Sequence, residues 1–210
     1  MADRKEEFNR KLLVEGNDDL HIVWALCEKF KLSENFDVID CKGIDELLKD
    51  FPVRLKGSDI QTVGIIADAD TNFVSRWQSV SKILEKAGYV VPTELSPEGL
   101  ILQSINKVKV GLWIMPDNKS GGMLEDFIRF LIPDTDLLLR EAKASLENIE
   151  SQGLQKYIPF HQSKALIHTW LAWQENPGTP MGLAITKTYL PVDQQVCLKF
   201  IGWLRQLFED

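Results

Sequence analysis

Two rhythms of apolar residues alternate along the first ninety positions. Leu12-Leu13-Val14 is a short continuous apolar run that stops at Glu15 and Gly16. Beyond it Leu20, Val23, Trp24 and Cys27 recur at helical spacing and predict a helix with that buried face. Asn17 is placed to cap this helix, with Asp18 and Asp19 in its dipole-favoured first turn. Residues 36–41 (FDVIDC) alternate as a second strand, and Gly43 opens a shorter helix over 44–48 that Pro52 is expected to disturb. The clearest strand is 62–67 (TVGIIA), whose small and β-branched residues suit burial on both faces of a parallel sheet. It ends at Asp68-Ala69-Asp70, and a helix follows over 73–88. Three strand–helix repeats predict a parallel α/β architecture.

After Gly88 the rhythm changes. Residues 89–92, 100–105 and 108–115 read as strands, the last running into Pro116-Asp117-Asn118. Lys119-Ser120-Gly121-Gly122 makes a flexible loop before a helix over 123–131. From about residue 134 onward the pattern is mainly helical, with segments near 136–155, 162–174 and 193–208 and a turn-rich break at 176–180. Trp170 and Trp173 fall at helical spacing with Ile167 and are expected in the core. The simplest division is one domain over 1–210, with an α/β core at 10–120 and a mainly helical part at 121–210.

Composition adds bounds. Of 210 residues 44% are hydrophobic and 26% charged, enough apolar material for a core that needs no disulfide or structural metal. The 24 basic and 31 acidic residues leave a formal charge of −7, so no broad basic face is expected. Cys27, Cys41 and Cys197 are scattered without metal-ligand spacing, which suggests a reducing, cytoplasmic setting. No apolar run has the length of a membrane span, and no Gly-x-x-x-x-Gly-Lys loop supports ATP hydrolysis.

Open parallel sheets bind ligands outside the carboxyl ends of their strands. Glu15 ends the first strand; Asp68 and Asp70 end the third. On extended chain the two aspartates would point to one side, roughly 7 Å apart. Like charges at about 4 Å repel by about 1 kcal/mol in water and by more near a protein surface, so such a cluster implies a compensating cation. Oxygen ligands with no neighbouring cysteine favour Mg²⁺ or Mn²⁺. Solvated strand ends and helix capping are the plainer reading of the same acids.

These residues resemble a family. An apolar strand ending in Glu-Gly (Leu12 to Gly16), followed by a later one ending in Asp-x-Asp (Ile65 to Asp70), is similar to the signature of Toprim domains. These occur in primases, topoisomerases, recombination mediators and OLD-family nucleases. The resemblance covers roughly residues 10–120. It implies a Rossmann-like, mostly parallel sheet flanked by helices, with Glu15 as general acid/base or ligand and Asp68 and Asp70 as magnesium ligands. By likeness to the OLD nucleases, Asp19 would share the metal edge, Glu125 would hold a second metal, and Lys164 would steady the phosphate in the transition state. No tyrosine stands in a topoisomerase context. The expected activity is metal-dependent cleavage or transfer of DNA or RNA phosphodiesters. The alternative is a non-catalytic binding or scaffold module, and a homo-oligomer or protein partner stays open in both.

Overall fold

The computed structural model describes residues 6–209. Five strands form one sheet: β1 (Arg10–Val14), β2 (Asp37–Asp40), β3 (Thr62–Asp68), β4 (Leu100–Leu102) and β5 (Lys109–Met115). Their order is β2-β1-β3-β5-β4, parallel throughout except for the short edge strand β4, which pairs antiparallel with β5. Eight α-helices accompany the sheet among the described residues. Four fall within the α/β repeats and the turn after β5: α1 (Asn17–Phe30), α2 (Ile44–Arg54), α3 (Phe73–Lys86) and α4 (Leu124–Leu131). The rest, α5 (Leu137–Ser151), α6 (Gln162–Ala172), α7 (Met181–Thr186) and α8 (Gln195–Phe208), make up the helical C-terminal part. This is a Rossmann-like α/β fold.

Alternation along the strands divides the core between the two faces. Leu12 and Val14 of β1, Ile66 of β3, and Trp113 and Met115 of β5 face one side with α1, α4 and α8. Leu13, Val63, Ile65, Val110, Leu112 and Ile114 face the other, under α2 and α3. The chain moves outward from β1 to β2 and then returns past β1 to β3. Right-handed crossovers require those two connections to lie on opposite faces, as α1 and α2 do. The strand order therefore reverses between β1 and β3, the position at which open α/β sheets leave a crevice.

The C-terminal part completes this core. Trp203, Leu204, Leu207 and Phe208 of α8 are buried against the sheet, and the Trp203 indole donates to the Leu100 carbonyl at 3.0 Å. The approach is close because Gly64 and Gly111 face each other across β3 and β5. A Cβ on Gly111 would lie 2.4 Å from Leu207 Cδ2.

Several local expectations differ from the structure. Helix α2 runs through Pro52, because Leu47 and Phe51 are fully buried and their packing outweighs one missing backbone bond. Gly16, not Asn17, is the N-cap of α1, and its buried face is Ile22, Val23 and Leu26, leaving Trp24 exposed. Residues 89–92 form no strand; Tyr89 is buried there, with its hydroxyl donating to the Val108 carbonyl at 2.7 Å. Trp170 is buried as expected, but Trp173 follows the last residue of α6 and is exposed. Helix α7 was not expected beyond the turn-rich break. Gly182 lets it lie against α1, where a Cβ would meet the His21 carbonyl oxygen at 2.7 Å. No helix among the described residues is long and apolar enough to cross a membrane.

Candidate functional site

Glu15 follows the last residue of β1, and its Oε1 accepts the backbone N–H of Asp68 at 2.7 Å across the β1–β3 crevice. Asp68 is the last residue of β3 and pairs in register with Met115. Its Oδ1 is shut off from solvent and has no hydrogen-bond partner among the described residues. Asp19, the third residue of α1, is 8% exposed and turns its carboxylate back onto the Gly16 N–H at 3.1 Å.

The β5–α4 turn brings in the other acids. Met115-Pro116 is a cis peptide, and the Asn118 side chain accepts the Ile114 N–H at 2.7 Å. Asp126 then repeats the role of Asp19, accepting the Met123 N–H at the start of α4 at 2.9 Å. Glu125, one residue earlier, is 3% exposed and faces Lys164 of α6, whose Nζ lies 2.9 Å from Glu125 Oε1. Ser163 donates its hydroxyl to Asp126, so α6 is tied to α4 at two adjacent positions.

Burial and mutual repulsion shift several of these acids. Burial, reinforced by Asp19, Glu15, Glu125 and Asp70, pushes the Asp68 carboxyl up to about 9. Burial and the nearby Glu15 raise Asp19 to about 7. Glu15 is raised by burial, against the Asp68 amide and the Arg76 charge, which favour its ionised form. Lys164 is raised by its bond to Glu125 and also feels Asp18 and Asp68. The N-termini of α1, α2, α3 and α4 all lie at this carboxyl edge of the sheet, where their dipoles oppose part of the negative charge.

Five of the six residues expected from sequence, Glu15, Asp19, Asp68, Glu125 and Lys164, are thus brought to one edge. Asp70 is placed differently from expectation. The strand ends at Asp68, and Asp70 adopts φ 51°, so the period of two that would align the aspartates does not reach it. Its Oδ2 accepts from Arg76 Nη2 at 2.6 Å. Arg76 is the site residue the sequence reasoning missed, and a lone arginine one turn into an amphipathic helix gives no signal. Among the described residues no three His, Cys, Asp or Glu side chains already form a group that could hold a metal. Glu15 accepts instead from the Asp68 amide and Asp19 from the Gly16 amide, while Glu125 pairs with Lys164. Cavities of about 640 and 590 Å³ lie away from these acids, one beside Asn9, Arg10 and Gln61 and one along the β2 edge near Trp24 and Phe36.

The model of the family described as "Protein of unknown function (DUF3226)" matches residues 9–209. The chain belongs to the DUF3226 family. The match runs from the residue before β1 to the residue after α8 and so covers the sheet, the acidic edge and the C-terminal helices of this DUF3226 chain. No curated protein and no solved structure matches the chain.

Proposed function

We propose that this protein is a Mg²⁺- or Mn²⁺-dependent phosphodiesterase acting on DNA or RNA, with its site at the β1–β3 carboxyl edge. One observation carries the reading: Asp68 Oδ1 is buried without a partner among Glu15, Asp19 and Glu125. A buried acceptor of this kind costs about 1–3 kcal/mol unless something satisfies it. A hard divalent cation does so, and the all-oxygen donor set fits Mg²⁺ or Mn²⁺. The likeness of Leu12 to Gly16 and Ile65 to Asp70 to Toprim domains supports the same chemistry.

Asp68 and Glu15 would hold the ion, with Asp19 and Glu125 completing its surroundings. When bound, the ion supplies charge neutralisation at a phosphoryl oxygen and an acidified water. Glu15, adjacent to the crevice and raised by burial, is suited to move a proton to or from that water. Lys164, half-exposed and paired with Glu125, presents a fixed ammonium to the phosphate as negative charge develops.

The test is incubation of the protein with labelled single- and double-stranded DNA and RNA, in Mg²⁺, Mn²⁺ or chelator, beside Asp68→Asn. Metal-dependent cleavage that disappears in Asp68→Asn supports the proposal. Intact substrates throughout, with no Mn²⁺ binding by calorimetry, would sink it in favour of a non-catalytic binding module.

A further inference from the structure

Asp68 and Asp70 have opposite surroundings although one residue separates them. Arg76 reaches back from the first turns of α3 with a side chain only 12% exposed. Its Nε donates to the Asp68 carbonyl at 2.7 Å and its Nη2 to Asp70 Oδ2 at 2.6 Å, so one guanidinium spans the whole β3–α3 turn. Asp70 is fixed from a second direction as well. The Gly122 N–H donates to the Asp70 carbonyl at 2.7 Å, and a Cβ on Gly121 would come within 3.1 Å of that oxygen. The left-handed conformation at Asp70 is what turns its backbone toward the β5–α4 loop. Asp68 Oδ1, by contrast, has no partner among the described residues.

We propose that the two aspartates divide the work: Asp68 is the ligand, and Asp70 is a positioning residue that never ligates the ion. Asp70 holds Arg76, and the pair fixes the β3–α3 turn and the Gly121-Gly122 loop around the ion. The proposal rests on the metal-site reading above. Its physical basis is competition. A cation approaching Asp70 finds a half-exposed carboxylate whose Oδ2 already accepts from a guanidinium at 2.6 Å, while Asp68 offers a buried oxygen that no described residue shares.

The experiment titrates Mn²⁺ into the full chain and follows free and bound ion by electron paramagnetic resonance. Wild type is compared with Asp68→Asn, Asp70→Asn, Arg76→Gln, Arg76→Lys and the Asp70→Asn/Arg76→Gln double variant, with melting temperature recorded for each. Asp68→Asn is expected to weaken Mn²⁺ at least tenfold. Asp70→Asn and Arg76→Gln should change Kd less than threefold, lower Tm, and give the same altered bound-Mn²⁺ spectrum. The double variant should melt no lower than the worse single, because Arg76→Gln already removes the contact that Asp70→Asn breaks. Arg76→Lys, which keeps the charge but loses the fork, should keep Kd and shift the spectrum, and it serves as the readout if Asp70→Asn does not fold.

An Asp70→Asn protein that melts like wild type but loses Mn²⁺ as Asp68→Asn does would overturn the division of labour. Wild-type bound-Mn²⁺ spectra in the Asp70 and Arg76 variants would overturn the positioning role. Failure of the wild type to bind Mn²⁺ is a different result, and it removes the metal-site reading together with this proposal.

Discussion

Lys164 and Glu125 form an ion pair of 2.9 Å in which one partner is half-exposed and the other almost fully buried. The asymmetry sets the direction of the penalty. Lys164→Met strands the Glu125 carboxylate inside the protein, whereas Glu125→Gln leaves an ammonium that water can still reach. Lys164→Met should therefore destabilise more than Glu125→Gln. Its cost should lie between the ~1 kcal/mol of an exposed pair and the ~3–5 kcal/mol of breaking a buried one. Urea unfolding of both variants at neutral pH measures the difference. A Glu125→Gln loss as large as that of Lys164→Met would contradict this account.

Without metal, stability should fall as pH rises. Asp68 and Asp19 have folded values raised to about 9 and about 7 from an ordinary 3.8, so the folded state holds protons that the unfolded chain has released. Their favourable contribution is complete below about pH 4 and is lost progressively up to about pH 9. In chelator, Tm should be higher at pH 5.5 than at pH 8.5. If the proposed site takes Mn²⁺ or Mg²⁺, the ion should narrow or reverse that difference by replacing the protons, with an affinity that rises with pH. A flat Tm profile in chelator would count against the crowding of these carboxyls.

Asp19→Asn is expected to separate stability from binding. The amide oxygen keeps the acceptor for the Gly16 N–H, while the charge that Glu15 and Glu125 oppose is removed. The metal-free variant should be more stable than wild type at pH 8.5 and nearly equal to it at pH 5, where the wild-type carboxyl is protonated. Its Mn²⁺ affinity should be lower. Paired melting and calorimetry at both pH values decide this.

The glycine pair under α8 makes a prediction about the core. Leu207 is 1% exposed and occupies the space that side chains at Gly64 and Gly111 would need. Gly111→Val should cost about 1–3 kcal/mol by overpacking, with the denaturant slope unchanged. Leu207→Ala should cost about 2–5 kcal/mol by leaving a cavity. Combining the two should recover part of the loss, since the valine fills space that the leucine has vacated. Denaturation midpoints of the two singles and the double give the answer.

Much of the edge was legible in the sequence because parallel strands announce themselves. Leu12 to Val14, residues 62–67 and residues 108–115 are apolar on both faces, and their termini locate Glu15, Asp68 and the turn toward Glu125. Asp70 was misplaced because alternation holds only while the chain stays extended, and a single left-handed residue ends it. Pro52 was over-read, since propensity counts a lost bond while burial of Leu47 and Phe51 counts for more.

By itself the sequence determined the α/β class, the three strand–helix repeats and the carboxylates at the strand ends, because these follow from local periodicity and from which acids end apolar runs. Tertiary structure alone decided the strand order that opens a crevice between β1 and β3. It alone set Lys164 against Glu125 and Arg76 against Asp70, and left Asp68 Oδ1 without a partner. Those outcomes depend on contacts between segments far apart in the chain, or on how one turn closes against another. No local pattern encodes such a meeting until the core brings the pieces together.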